Sequence, residues 1–219
     1  MDDEFVASTA HAVLGVESPA GPVDLGCMQV PLLLDAFESR PPNPVSPVGE
    51  WYAVPTADQP ALLDACGLTD PTPATYDAAQ TLGRSAQAYV SPVVDGWTFV
   101  FGELRSTPEE SRDLCTALSL RFGTALWFGR VESGGCGDSG WWCLAENGTL
   151  VRYNYQDEDG RDAERGAPHE AEIVDDDDDD LDWWDVVSLI AARTTVDLED
   201  LGPHTTVDGH GAFVSTARG

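Results

Sequence analysis

The sequence predicts an α+β fold, a mainly antiparallel sheet of about four to six strands with helices packed on one face, and three patterns support it. Runs rich in aromatic and β-branched residues at 97–101, 124–131, 141–145 and 149–155 have the length and composition of strands. Asn147-Gly148 between the last two favours a two-residue hairpin, because a type I′ turn needs positive φ at both central positions. Between these runs, Leu114, Leu118 and Phe122 recur every four residues, the spacing of one helical stripe.

Residues 1–90 are rich in proline and small residues and are expected to form a mostly helical N-terminal portion, followed by an α+β core domain over 91–219 with the boundary near 89–95. The stretch Arg40-Pro41-Pro42-Asn43-Pro44-Val45-Ser46-Pro47 breaks regular structure, since each proline removes a backbone donor and restrains its predecessor. A helix over 58–66 should close on Gly67, and Thr72-Pro73 should open a second that runs to about Leu82 before Gly83. In the core, Trp97, Phe99 and Phe101 share one face of a strand expected at the centre of the sheet. Thr107-Pro108-Glu109-Glu110 forms a capping box for the next helix, which stops at Gly123. Along 149–155, Val151, Tyr153 and Tyr155 should point one way and Leu150, Arg152 and Asn154 the other. A last helix from Trp183 to about Arg193 places Val186, Val187, Ile190 and Ala191 on one side. The chain has no internal repeat.

Charge is the most unusual property of the 219-residue chain: 39 acids face 11 arginines, with no lysine, for a net −28. Fourteen acids and two arginines lie between residues 157 and 182, a net of −12, which leaves −16 on the rest. Asp175, Asp176, Asp177, Asp178, Asp179 and Asp180 are consecutive, and such a run cannot bury itself, so 157–182 is expected to be a solvated acidic loop. This field repels phosphate backbones, which argues against direct nucleic-acid binding, and attracts a basic protein. Salt-adapted or GC-rich proteomes also produce lysine-free acidic chains, so the diffuse share of the charge has a competing origin. The start Met1-Asp2-Asp3-Glu4 is the reverse of a basic signal-peptide region, and the apolar run 30–34 is too short to cross a bilayer. A cytoplasmic protein without membrane contact is expected. Five cysteines with no C-x-x-C pair argue against a disulfide framework or a zinc ribbon and suggest mostly buried thiols.

Tyr89-Val90-Ser91-Pro92, Gly96-Trp97-Thr98-Phe99-Val100-Phe101-Gly102, Leu118-Ser119 and Arg121-Phe122-Gly123 together resemble a family of uncharacterised actinobacterial proteins. In that family a tryptophan-bearing strand, a helix ending in Phe-Gly and a strand ending in arginine lead to an aromatic strand and a Gly-x-Leu-x-Arg hairpin. The similar features here are Phe128-Gly129-Arg130, Trp141-Trp142 and Gly148-Thr149-Leu150-Val151-Arg152-Tyr153. The resemblance spans roughly 89–172 and extends weakly into 185–192 and 195–197. It implies no activity, and by analogy only it points toward small immunity or accessory proteins of bacterial conflict systems. Where the family carries a histidine before the first arginine, this chain has Gly129, so no imidazole role is carried over.

Catalytic motifs are sparse. Gly134-Gly135-Cys136-Gly137-Asp138-Ser139-Gly140 looks like the nucleophile segment of chymotrypsin-like proteases, with Thr9-Ala10-His11 a faint echo of their histidine motif. Trp141-Trp142, however, replaces the small residues that leave substrate room, and a glycine-rich turn joining two strands explains the same letters. Six successive aspartates lack the glycine and alternation of a calcium loop, and His11, His169, His204 and His210 have no zinc spacing, so no metal or cofactor is expected. No P-loop, dinucleotide fingerprint or His-Glu-x-x-His occurs.

The sequence therefore favours a non-enzymatic interaction module, an immunity- or antitoxin-like inhibitor of a basic toxin or nuclease. Asp175 to Asp180 would steer the partner, Trp183 or Trp184 would anchor it, and Arg130, Trp142 and Arg152 complete the candidate binding residues. A hydrolase using Ser139 and a structural or accessory subunit of a larger assembly are the alternatives.

Overall fold

The computed structural model describes residues 44–47, 49–75, 87–131, 139–157, 162–173 and 183–216. The fold is α+β, but the antiparallel sheet is larger than the four to six strands expected. In chain order the elements are β1 (Gly49–Val54), α1 (Gln59–Cys66), β2 (Leu68–Ala74), β3 (Gln87–Val94), β4 (Trp97–Phe101), α2 (Pro108–Phe122), β5 (Thr124–Val131), β6 (Ser139–Glu146), β7 (Thr149–Asp157), β8 (Asp162–Arg165), a 3-10 turn η1 (Glu170–Glu172), α3 (Trp183–Thr194), β9 (Val207–Asp208) and β10 (Gly211–Thr216). Ten strands form one sheet in the order β2-β10-β3-β4-β1-β5-β6-β7-β8, with β9 on β3.

Several local expectations are met by identifiable bonds. Asp58 caps α1 by accepting from Ala61 N at 3.0 Å, and Gly67 ends it with φ of 71°. Thr107 Oγ1 accepts from Glu110 N at 3.2 Å; the returning Glu110 carboxylate takes Ser106 N at 3.0 Å, one residue earlier than a capping box places it. Asn147 and Gly148 have φ of 49° and 79°, as the hairpin requires. β4 is central, flanked by β3 and β1.

The helix expected from Thr72-Pro73 is instead strand β2, through Ala74, because its partner β10 lies 140 residues away and overrides the local signal. Pro71 and Pro73 fit there because β2 is an edge strand, where a missing N–H costs no ladder bond. β1, also from the expected helical portion, sits between β4 and β5, so the expected boundary near 89–95 is crossed by continuous pairing. Pro92 falls at a bulge in β3, where the Ser91 hydroxyl accepts from Phe99 N at 2.8 Å and replaces a ladder acceptor.

Helices pack on both faces, not one. Tyr52, Val54, Leu62, Leu114, Leu118 and Trp127 share the core under α1 and α2, while Trp51, Ala53, Phe99, Phe128, Trp142 and Ile190 share the core under α3. The reason is legible in β1, where four successive residues, Trp51, Tyr52, Ala53 and Val54, are all buried, so neither face of the strand meets water. β7 departs from strict alternation. A register shift between Leu144 and Ala145 pairs them with Arg152 and Leu150, leaves Val151 exposed and turns Leu150 to the face of Tyr153 and Tyr155.

Candidate functional site

The face under α3 holds the polar chemistry of the core. β5 delivers Arg130 opposite Gly49 of β1 and Gly140 of β6, two residues whose lack of side chains leaves room for a guanidinium. Arg130 is 2% exposed, and its Nη1 donates to Ser188 Oγ on α3, to Ser46 Oγ at 3.3 Å and to Glu199 Oε1 at 3.5 Å. Ser188 Oγ in turn donates to Glu199 Oε1 at 3.3 Å, so one carboxylate answers both groups. A buried cation requires such pairing, because desolvation without it is prohibitive.

Two strands away Arg152, 1% exposed, is held more completely. Its Nε and Nη2 grip the Glu172 carboxylate in a fork, the second bond at 2.7 Å, and Nη1 reaches Gly166 O at 3.1 Å and Glu164 at 3.4 Å. These bonds, led by Glu172, hold the guanidinium proton more firmly than in the free side chain. Gly166 is required at this point: its φ is +82°, and a Cβ would meet Val151 O at 2.0 Å. Trp142, fully buried between Phe128 and Asn154 in register, presents its face or edge to His169 with ring centroids 5.8 Å apart. His169 Nδ1 caps η1 by accepting from Ala171 N at 3.1 Å.

Arg130, Trp142 and Arg152 are thus brought to one face of β5, β6 and β7, as buried side chains that fix α3 and the 162–173 segment to the sheet. Asp175 to Asp180 lie outside the described residues. Trp183 and Trp184 form the first turn of α3, but their side chains lie outside what is described. The backbone leading into the aspartate run is tied down: Arg193 Nη1 donates to Ala171 O at 3.1 Å and Ile173 O at 2.6 Å, linking residue 173 to the same helix that begins at Trp183.

Sequence reasoning missed Ser46, Trp51, Ser188 and Glu199, which gather beside Arg130 from four separate segments. Pro47, Trp51, Ser188, Ala192, Leu198 and Glu199 line a small cleft there. The Trp51 indole N–H is buried with no acceptor among the described residues. Only the apolar character of residues 51–54 hinted at the placement of Trp51; nothing local pointed to the others.

On the opposite face Cys66, Cys115 and Cys143 are buried free thiols, as the cysteine pattern suggested for most of the five; Cys27 and Cys136 lie outside the described residues. Burial pushes the Cys66 thiol up to about 12 and Cys115 well above the ordinary thiol range, which makes both poor nucleophiles at neutral pH. Ser139, half-buried, opens β6 and pairs with Val131 and Asp157; His11, its expected base, lies outside the described residues. Gly129, where the resembling family has histidine, lies under the Trp141 indole, and a Cβ there would meet Trp141 Cε2 at 1.9 Å. Among the described residues no group of three or more His, Cys, Asp or Glu is placed to hold a metal ion, and no helix is long and apolar enough to cross a membrane. Comparison with protein-family models, with curated proteins and with solved structures finds no match to this chain.

Proposed function

We propose that this protein is a cytoplasmic acidic interaction module that binds a basic protein and neutralises it, in the manner of an immunity protein or antitoxin. The observation that supports this reading is how its cations are used. Of the seven arginines in the described residues, Arg112, Arg121, Arg130 and Arg152 pair with acids of the same chain, Arg105 and Arg193 donate to backbone carbonyls, and Arg165 on β8 is exposed. Acids such as Asp95, Asp113, Asp185, Asp200 and Asp208 face solvent. The outward field is therefore negative, which speeds encounter with a basic surface and opposes nucleic acid. Asp175 to Asp180, which precede α3 in the sequence, add to that charge, and Trp183 and Trp184 in the first turn of α3 supply the anchor. A nuclease, whose substrate groove is positive, fits the charge best.

The test is the rate and salt dependence of association with a basic partner isolated from the native host. Deleting residues 175–180 should slow association by about tenfold or more at low salt, within the range typical of electrostatic steering, and leave dissociation nearly unchanged. An association rate indifferent to both salt and the deletion would remove the proposal.

A further inference from the structure

Residues 44–47 lie on the α3 side of the sheet as a strap outside every strand. Their exposure alternates: Pro44 and Ser46 are exposed, Val45 is half-buried against the α3-side core, and Pro47 is buried. Three contacts hold the strap, and each is of a kind that a groove uses to hold a separate peptide. Val45 N donates to Leu198 O at 2.7 Å, Arg130 donates to the Ser46 hydroxyl, and the buried Pro47 forms one wall of the cleft beside Trp51. The buried Trp51 N–H, with no acceptor among the described residues, lines that same cleft. An indole donor beside a buried proline is how aromatic grooves take polyproline-type chains, whose fixed φ lowers the entropy lost on docking.

We propose that the groove between α3, the 197–199 loop and β1 is a binding site for an extended, uncharged, proline-bearing peptide, and that residues 44–47 are its resident occupant, closing it to peptides supplied in trans. Ligand selection follows from the surroundings. An acidic peptide is repelled by the net −28 of the chain. A neutral one is not, and it can offer the main-chain N–H that Leu198 O accepts. This site is independent of the charge-driven partner binding proposed above.

The experiment compares the full chain with its Val45→Pro variant, using as probe a labelled, doubly capped peptide with the sequence of residues 41–48. Val45→Pro removes the N–H that Leu198 O accepts and so loosens the strap, while the peptide retains that donor. The variant should bind the peptide about tenfold more tightly than the parent, and a peptide that itself carries Val45→Pro should bind about tenfold more weakly, the scale of one well-formed hydrogen bond. Adding Trp51→Phe to the variant should weaken peptide binding again. A cooperatively melting Val45→Pro chain that binds neither peptide, or both equally, overturns the proposal. If that chain does not melt cooperatively, Ser46→Ala, which loses only a hydroxyl, provides the same comparison. Because the probe carries no charge, its result does not depend on whether a basic partner exists.

Discussion

The two faces of the sheet are built on different principles. Under α1 and α2 the core is mainly apolar side chains and buried thiols, and its buried cation is not forked to a buried acid: Arg112, 8% exposed, lies over the Tyr153 ring at 4.5 Å and pairs with exposed Glu109. Under α3, two guanidiniums are buried outright and hold the covering segments by directional bonds. An apolar face tolerates sliding and repacking; a face organised by arginine forks specifies one position for each covering segment. The difference bears on the proposed partner binding because residue 173, the last described residue before the aspartate run, is held to α3 by Arg193.

Breaking the α3 face should cost most. Arg152→Met leaves the Glu172 carboxylate, 14% exposed, without its partner, and should destabilise the fold by about 3–5 kcal/mol in urea unfolding. Adding Glu172→Leu should recover much of that loss; if it does not, the arginine acts through packing rather than charge. On the other face Leu118→Ala, at a fully buried position, should cost about 3 kcal/mol by cavity formation, with no comparable rescue from a polar second change.

Alkaline pH sharpens the contrast at smaller scale. Burial raises the folded-state value of Cys66 from 9.0 to about 12, so its neutral form stabilises the fold fully below pH 9. That contribution is lost as pH rises toward the folded value, because the unfolded thiol ionises first, at up to about 1.4 kcal/mol per pH unit. Cys66→Ala should flatten the stability–pH curve over that window. An unchanged slope would place the sensitivity elsewhere, with Cys115, raised by burial on the same face from the same ordinary thiol value, the next group to test.

What the sequence made legible was local. α1, α2 and α3, the central place of β4 and the β6–β7 hairpin all follow from caps, stripes and turn residues within a few positions of one another. β2 and β10 were illegible because each finds its partner across the length of the chain, and Thr72-Pro73 carries the same letters for a helix start as for an edge strand. The extra residue at Val151 reversed the expected facing of Leu150, a change that period-two reasoning cannot see without the partner strand. Of the site, Arg130, Trp142 and Arg152 were singled out as candidate binding residues; the structure buries all three on one face of the sheet, and that burial depends on α3 covering a second face that sequence reasoning had left open. Ser46, Ser188 and Glu199 meet Arg130 from 84, 58 and 69 residues away, and no short pattern records such distances.

The strand order also fixes a sequence of events in synthesis. β2 joins the sheet only through β10, and β10 enters between β2 and β3. Residues 68–74 therefore leave the ribosome long before the strand that holds them exists, and the sheet remains open at that point until residue 216 has emerged. Non-local closure of this kind slows folding and exposes unpaired edges meanwhile. The prolines at 71 and 73 guard that waiting strand, denying a neighbouring nascent chain the donors it would need to pair.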